Sequence, residues 1–137
     1  MGTTFDHVGL SLADLDAGEA FYGRAFGFTR ELAFALDPHP IRGVMLVHPS
    51  GCRLELFADE RSSGGIRADT PIAALATRGY GHFALAAADI GPLYETALSA
   101  GAPAVKAPVP SPEPGVRFAF VADPEGNLIE LVERRAR

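Results

Sequence analysis

Residues 6–15 read DHVGLSLADL, and residues 81–90 read GHFALAAADI. Each stretch alternates apolar side chains in the manner of a β-strand and ends in Ala-Asp followed by a branched aliphatic residue, where the Asp can cap a helix. The offset between the two histidines, His7 and His82, is 82 − 7 = 75. The chain is therefore predicted to contain an internal repeat, which fixes architecture better than local propensity does.

An amphipathic helix is predicted after each of these strands. In the second copy, apolar residues recur at helical spacing from Ile90 to Leu98, and Gly101 is suited to end the helix. In the first copy, apolar residues from Leu15 to Phe26 follow helical spacing less regularly, and a glycine comes next. Helices of the same length are expected in both copies.

A short apolar strand with a central glutamate ends each copy. It reads RLELF at residues 53–57 and NLIELV at residues 127–132, and Glu130 follows Glu55 at the same offset as the histidines (130 − 55 = 75). Two more strands fit between helix and glutamate strand, at about 29–36 and 41–48, and then at about 104–106 and 117–121. The prediction is an α+β fold of two tandem βαβββ units that form a curved mixed sheet, with the helices outside.

The 137 residues are predicted to form a single domain. Unit one takes about 1–58, a connector about 59–78 with the motif SSGG, and unit two about 79–137. A second irregular stretch has four prolines at alternate positions, from Pro108 to Pro114, and is predicted to be an extended loop.

The composition favours a cytoplasmic protein with a small-molecule substrate. A net charge of −5 argues against nucleic acid, because phosphate contacts need clustered Lys and Arg. The first residues have no basic region that leads into a long apolar run, so neither a signal peptide nor a membrane span is predicted. Cys52 is the only cysteine and cannot form an internal disulfide, in keeping with a reducing compartment.

Four ionisable residues, His7, Glu55, His82 and Glu130, interrupt the apolar strands, and the separation of His from Glu is the same in each copy (55 − 7 = 48 and 130 − 82 = 48). If both strand faces are covered, an ionised glutamate without a partner costs on the order of several kcal/mol. Two carboxylates and two imidazoles that converge in one cleft make a good divalent cation site. One such residue alone is more often structural, but the duplicated spacing of all four favours a shared metal-binding cleft.

At these residues the chain resembles the vicinal oxygen chelate superfamily, which includes glyoxalase I, methylmalonyl-CoA epimerase, extradiol dioxygenases, and fosfomycin and bleomycin resistance proteins. The resemblance covers nearly the whole chain and is most specific in DHV at 6–8, FY to GF at 21–28, GH at 81–82 and DPEGNLIEL at 123–131. In the metal-dependent members a ligand lies on the first and last strand of each unit, which implies a ligand set of His7, Glu55, His82 and Glu130. Dioxygenases and fosfomycin-type enzymes generally use two His and one Glu, so Glu55 favours the four-ligand glyoxalase I or epimerase branch.

Two departures from the family's patterns bear on the substrate. Ser11 stands where bacterial glutathione-dependent glyoxalases tend to carry Arg, which argues against glutathione dependence. Methylmalonyl-CoA epimerases tend to have Gln at the second ligand and a catalytic Glu on the third strand, where this chain has Glu55 and Ile41.

The resemblance implies a metal-dependent lyase or isomerase that acts on a small carbonyl or hydroxy-carbonyl compound by chelating adjacent oxygens. The expected ion is nickel, cobalt, zinc or manganese, and Glu130 or Glu55 is expected to transfer the proton. Two alternatives stay open: a metal-free ligand-sequestering protein of bleomycin-resistance type, and an iron-dependent extradiol dioxygenase that uses His7, His82 and Glu130. Family members commonly form homodimers, so a homodimer is expected.

Three further residues are candidates for substrate contacts. Arg117 could hold a substrate anion, although an ordinary ion pair is an equal alternative. Phe118 and Tyr80 could line an apolar pocket, although core packing is the commoner role of such residues. His39 and His48 stand beside prolines and are predicted to be exposed loop residues.

Overall fold

A computed structural model describes residues 2–65 and 67–135 of the chain. No helix among these residues is both long and apolar enough to cross a membrane. The elements, in chain order, are β1 (His7–Ser11), α1 (Leu15–Phe26), β2 (Thr29–Ala35), β3 (Ile41–Val47), β4 (Arg53–Asp59), α2 (Pro71–Ala74), β5 (His82–Ala86), α3 (Ile90–Ser99), β6 (Ala104–Pro110), β7 (Val116–Ala122) and β8 (Leu128–Arg134).

The chain divides into two compact units, Met1–Gly64 and Gly65–Arg137. The first has a four-stranded mixed sheet in the order β1-β4-β3-β2, with β1 parallel to β4 and the other pairs antiparallel. The second sheet has the order β5-β8-β7-β6 with the same strand directions. The predicted α+β class and the two βαβββ units are therefore confirmed.

The repeat extends to every main element of the two units. Strands β5 to β8 begin and end at one constant offset from β1 to β4, as in β5 and β1 (82 − 7 = 75), and α3 begins at that same offset from α1 (90 − 15 = 75). The N-cap residues of these two helices, Asp14 and Asp89, are separated by the same offset (89 − 14 = 75). One local folding pattern therefore forms both units.

Helix α1 shows how local sequence sets this pattern. The Asp14 side chain accepts a hydrogen bond from the N–H of Ala17 at 2.9 Å, and Gly27 ends the helix with a φ of 79°, which glycine adopts without steric cost. The inner side of the helix carries the fully buried Phe21 and Tyr22. It packs against β3 and β4, so one face of the sheet is covered by the helix.

The structure corrects one predicted segment in the second unit. Strand β6 runs through Pro108 to Pro110 rather than stopping near residue 106, so the first part of the predicted loop is a strand. Two prolines fit because β6 is an edge strand with register shifts between Ala104 and Val109, so the missing N–H groups remove little of the ladder. The connector contains the short helix α2, capped by Thr70, which the sequence did not predict.

The turns before β4 and β8 also correspond, with HPSGC at 48–52 and DPEGN at 123–127. In both, the first residue's N–H donates to the fifth residue's carbonyl, at 2.8 Å for His48 and 2.9 Å for Asp123. The His48 ring accepts a bond from the N–H of Ser50 and lies 5.2 Å from the Phe28 ring, so this residue is half-buried rather than exposed. His39 is exposed, as predicted.

Candidate functional site

In the first unit, His7 and Glu55 lie together on one face of the sheet. Strands β1 and β4 are parallel neighbours that place Gly9 opposite Glu55, and His7 shares the face of Gly9. The distance from His7 Nε2 to Glu55 Oε1 is 3.4 Å. Adjacent parallel strands therefore bring together two residues that are far apart in the sequence.

The second unit repeats the arrangement with His82 and Glu130. Strand β5 places Ala84 opposite Glu130 on β8, and His82 Nε2 lies 2.9 Å from Glu130 Oε2. We refer to these two contacts as the His–Glu pairs, and to the sheet face that carries Glu55 or Glu130 as the glutamate face of each unit. The sequence predicted one shared site of all four residues, and the structure shows a His–Glu contact within each unit.

Both glutamates lie between residues that point to the other, helix-covered face. Leu54 and Leu56 flank Glu55 and are almost fully buried, whereas the Glu55 side chain is 23% exposed and that of Glu130 is 24% exposed. The glutamate face is thus partly open to water. The desolvation cost is smaller than for strands covered on both faces, so the need for a counter-ion is weaker than the sequence alone suggested.

Aromatic rings stand beside each His–Glu pair. In the second unit the Phe120 ring lies 5.0 Å from the His82 ring in an edge-to-face arrangement, and Phe118 lies 6.0 Å from Phe120. In the first unit Phe34 and Phe57 make a similar contact at 5.7 Å. Such rings restrict the neighbouring side chains and give the glutamate face an apolar surround.

One equivalent cross-strand pair carries an aromatic ring in both units, but the ring belongs to a different strand in each unit. Phe34 on β2 pairs with Gly43 and its ring occupies the space that a side chain at Gly43 would need. The equivalent pair in the second unit is Val109 and Phe118, with the ring on the other strand. Phe118 therefore lies on the glutamate face, as a pocket-lining residue would.

The other two substrate candidates are an ion-paired arginine and an exposed tyrosine. Arg117 faces the helix-covered side, opposite to Glu130, and its Nη1 lies 3.4 Å from Glu133 Oε2, which also accepts a bond from the N–H of Ile90. Its position supports the ion-pair alternative rather than a substrate contact. Tyr80 precedes β5 and its side chain is fully exposed.

One contact to the first pair was not predicted. Asp6 Oδ2 lies 2.7 Å from His7 Nδ1, so the histidine has a carboxylate on each of its two nitrogens. The hydrogen bond with Asp6, assisted by the charge of Glu55, raises the pKa of His7, and the same hydrogen bond lowers the pKa of Asp6. The adjacent letters DH in the sequence are the only signal for this contact, since they do not show where the side chains point.

The donor sets fit a divalent ion in type and spacing. Two ligands about 2.1 Å from one ion, at right or tetrahedral angles, lie roughly 3.0–3.4 Å apart, and the two pairs show 3.4 and 2.9 Å. Imidazole with carboxylate suits zinc, nickel, cobalt and manganese. Over residues 2–65 and 67–135, no three or more His, Cys, Asp or Glu side chains are grouped so that they could hold a metal ion, so the four-ligand site stays a prediction.

Comparisons with known proteins agree with the fold. A family model described as the Glyoxalase/Bleomycin resistance protein/Dioxygenase superfamily matches residues 4–131. Over 56 residues the chain is 38% identical to lactoylglutathione lyase of Arabidopsis thaliana, a match that covers 41% of this chain and 20% of that protein. The chain thus spans about a fifth of the curated relative that it matches.

Solved structures give the same result over nearly the full chain. Glyoxalase I from Zea mays aligns with a TM-score of 0.76 at 24% identity, over 95% of this chain and 44% of that one. A glyoxalase family protein from Bacillus cereus aligns with a TM-score of 0.78 at 22% identity, over 99% of each chain. Identities this low show a shared fold and no more.

Proposed function

The chain belongs to the Glyoxalase/Bleomycin resistance protein/Dioxygenase superfamily, and we propose that it is a metal-dependent, glyoxalase-like lyase or isomerase. Its substrate in this proposal is a small carbonyl or hydroxy-carbonyl compound. The observation that carries the proposal is the duplicated His–Glu pair on the partly open glutamate face of each unit. The names of the Arabidopsis and maize proteins, lactoylglutathione lyase and glyoxalase I, support the same reaction class.

The proposed metal ligands are His7, Glu55, His82 and Glu130, which would hold one nickel, cobalt, zinc or manganese ion. A bound divalent ion would supply electrophilic polarisation of the substrate's adjacent oxygens. Both His–Glu spacings suit two ligands of one ion, and neither pair is so buried that an ion could not reach it. A homodimer remains part of the proposal.

Glu130 is the proposed proton-transfer group. Its carboxylate lies 2.9 Å from His82 Nε2 and is partly open to solvent, so it can reach both the histidine and a substrate carbon. Phe120 packs against the His82 ring and limits its rotation. Glu55 occupies the equivalent position in the first unit and is the second choice for this role.

Hydrogen exchange at the carbon next to the carbonyl tests the proposed chemistry. The nickel- or cobalt-loaded protein is incubated in D₂O with a 2-oxoaldehyde and with an α-hydroxyketone, with and without glutathione, and deuterium incorporation is followed by ¹H NMR. We expect exchange with at least one of these compounds, without a need for glutathione. Glu130→Gln should lower the rate by about 100-fold or more, the usual contribution of a general base.

The variant Glu55→Gln, which matches Glu130→Gln in the other unit, distinguishes a lyase or isomerase from an iron-dependent dioxygenase. A four-ligand lyase site loses much of its exchange activity with this change, whereas an iron site built from His7, His82 and Glu130 keeps most of its oxygen-dependent activity. Oxygen uptake with a catechol and iron, unaffected by Glu55→Gln, would contradict the lyase or isomerase proposal.

A further inference from the structure

The two His–Glu pairs differ in their second contact. His7 Nδ1 lies 2.7 Å from Asp6 Oδ2, while its Nε2 faces Glu55. The repeat-equivalent of Asp6 is Gly81 (81 − 6 = 75), which has no side chain to offer to His82. The repeat is therefore broken at the residue beside the histidine.

A small charged network supports Asp6 and is also confined to the first unit. Arg53 lies opposite His7 in the sheet register and acts on Asp6 through its positive charge. Arg53 is itself held by two hydrogen bonds to Glu31, at 2.7 and 2.9 Å. The equivalent positions in the second unit are Leu128 and Lys106, which cannot build this network.

The hydrogen bond between Asp6 and His7 decides which ring nitrogen of His7 carries the proton and which keeps its lone pair. An ionised carboxylate can only accept hydrogen bonds, so Nδ1 must carry the proton that is shared with Asp6. In the neutral ring Nε2 is then the unprotonated nitrogen, and it lies on the side of Glu55 at 3.4 Å. A carboxylate on the far nitrogen of a ligating histidine fixes the ring and makes its lone pair a better donor.

We infer that Asp6 is a positioning residue, which holds the His7 ring with Nε2 turned toward Glu55 and makes the first His–Glu pair the stronger metal-binding pair. The inference rests on the proposed function, since it presupposes that His7 ligates a metal ion. Gly81 gives the second pair no such support, so the two His–Glu pairs differ in metal affinity although the repeat makes their ligands alike.

Metal affinity measures this role directly. Cobalt or zinc is titrated into metal-free protein in competition with a chromophoric chelator. Asp6→Ala should weaken binding about 10- to 100-fold, the usual effect of removing such a partner. Asp6→Asn should weaken metal binding less, because its amide oxygen still accepts a hydrogen bond from the Nδ1–H of His7. Glu95→Ala removes the same charge from an exposed position on α3 and should leave the affinity unchanged.

A gain-of-function variant tests the same idea in the second unit. A side chain at Gly81 would meet open space, and its φ is not in the left-handed region, so Gly81→Asp is sterically allowed. Introduced into Asp6→Ala, it should recover part of the lost affinity by supporting His82. No recovery would show that a neighbouring carboxylate alone does not position the histidine.

A spectroscopic readout on the metal-free protein completes the test. Long-range ¹H–¹⁵N NMR at a pH where the rings are neutral should show His7 protonated at Nδ1, and Asp6→Ala should abolish this preference. Unchanged metal affinity and an unchanged His7 spectrum in Asp6→Ala would overturn the inference. If the wild type binds no metal at all, the proposed function fails first, and the inference fails with it.

Discussion

At the scale of single residues, Glu55 and Glu130 show what alternation in a strand can and cannot reveal. The sequence predicted that Glu55 points away from its apolar neighbours, and the structure places each glutamate beside a histidine of its own unit. It could not give the degree of burial, because that depends on how much of the opposite face the fold covers. The Asp6 contact was missed for a related reason, since side-chain direction is not part of a periodic pattern.

A pH-dependent ion pair can be tested at this scale. Two side-chain hydrogen bonds from Arg61, at 2.8 and 3.0 Å, and a third from its backbone N–H, at 2.9 Å, lower the pKa of Asp59 from 3.8 to about 2. A carboxyl whose pKa is lower in the folded state stabilises the fold above its unfolded pKa and loses that contribution as the pH falls through the folded value. The window therefore runs from about pH 4 down to about pH 2.

We expect Arg61→Gln to lower the midpoint of urea unfolding slightly at neutral pH and by progressively less below pH 4. The pair is at the surface, so the difference should be small and should shrink further at high salt. Urea titrations of both proteins between pH 2 and pH 7 measure it. A difference that stays constant down to pH 2 would show that Asp59 is not the group responsible.

At the scale of elements, the sequence predicted the two middle strands of the first unit to within one residue at each end, but it missed much of β6, a middle strand of the second unit. Capping residues mark the helices, as Asp14 and Gly27 do for α1. Strand β6 was cut short because Pro108 and Pro110 argue against a central strand. Whether a strand lies at a sheet edge, where prolines are tolerated, is a property of the pairing and is not visible locally.

The two equivalent turns give a prediction at this scale. Asp123 is 1% exposed and accepts hydrogen bonds from the N–H groups of Glu125 and Asn127 and from the Asn127 side chain, at 2.8 to 2.9 Å. Asp123→Ala leaves these donors without their acceptor and should reduce the free energy of unfolding by about 2–4 kcal/mol.

His48→Ala is the matched control for that change, because His48 holds the equivalent place in the first unit. It accepts one backbone hydrogen bond and is half-buried, so its loss should cost only about 1 kcal/mol. Urea unfolding of both variants and the wild type gives the comparison. Equal losses, or a negligible loss for Asp123→Ala, would mean that the buried aspartate does not hold its turn.

At the scale of the whole molecule, the internal repeat is the feature that the sequence predicted best. Every strand of the second unit keeps the bounds of its counterpart, and the family match spans residues 4–131. The repeat also predicts matching His and Glu positions in the two units, but equal spacing within the units cannot decide whether the four residues share one ion. The binding of a single ion by all four residues is the central claim of the proposed function.

Metal content per chain tests this claim most directly. The protein is stripped with a chelator, reloaded in turn with nickel, cobalt, zinc, manganese and iron, desalted, and examined by elemental analysis. Wild type, His7→Ala and His82→Ala are compared with His39→Ala, which removes an exposed histidine outside both pairs. We predict about one divalent ion per chain in the wild type and in His39→Ala, and loss of the ion in both other variants. No ion in any protein, or full retention after loss of either His7 or His82, would contradict the shared site.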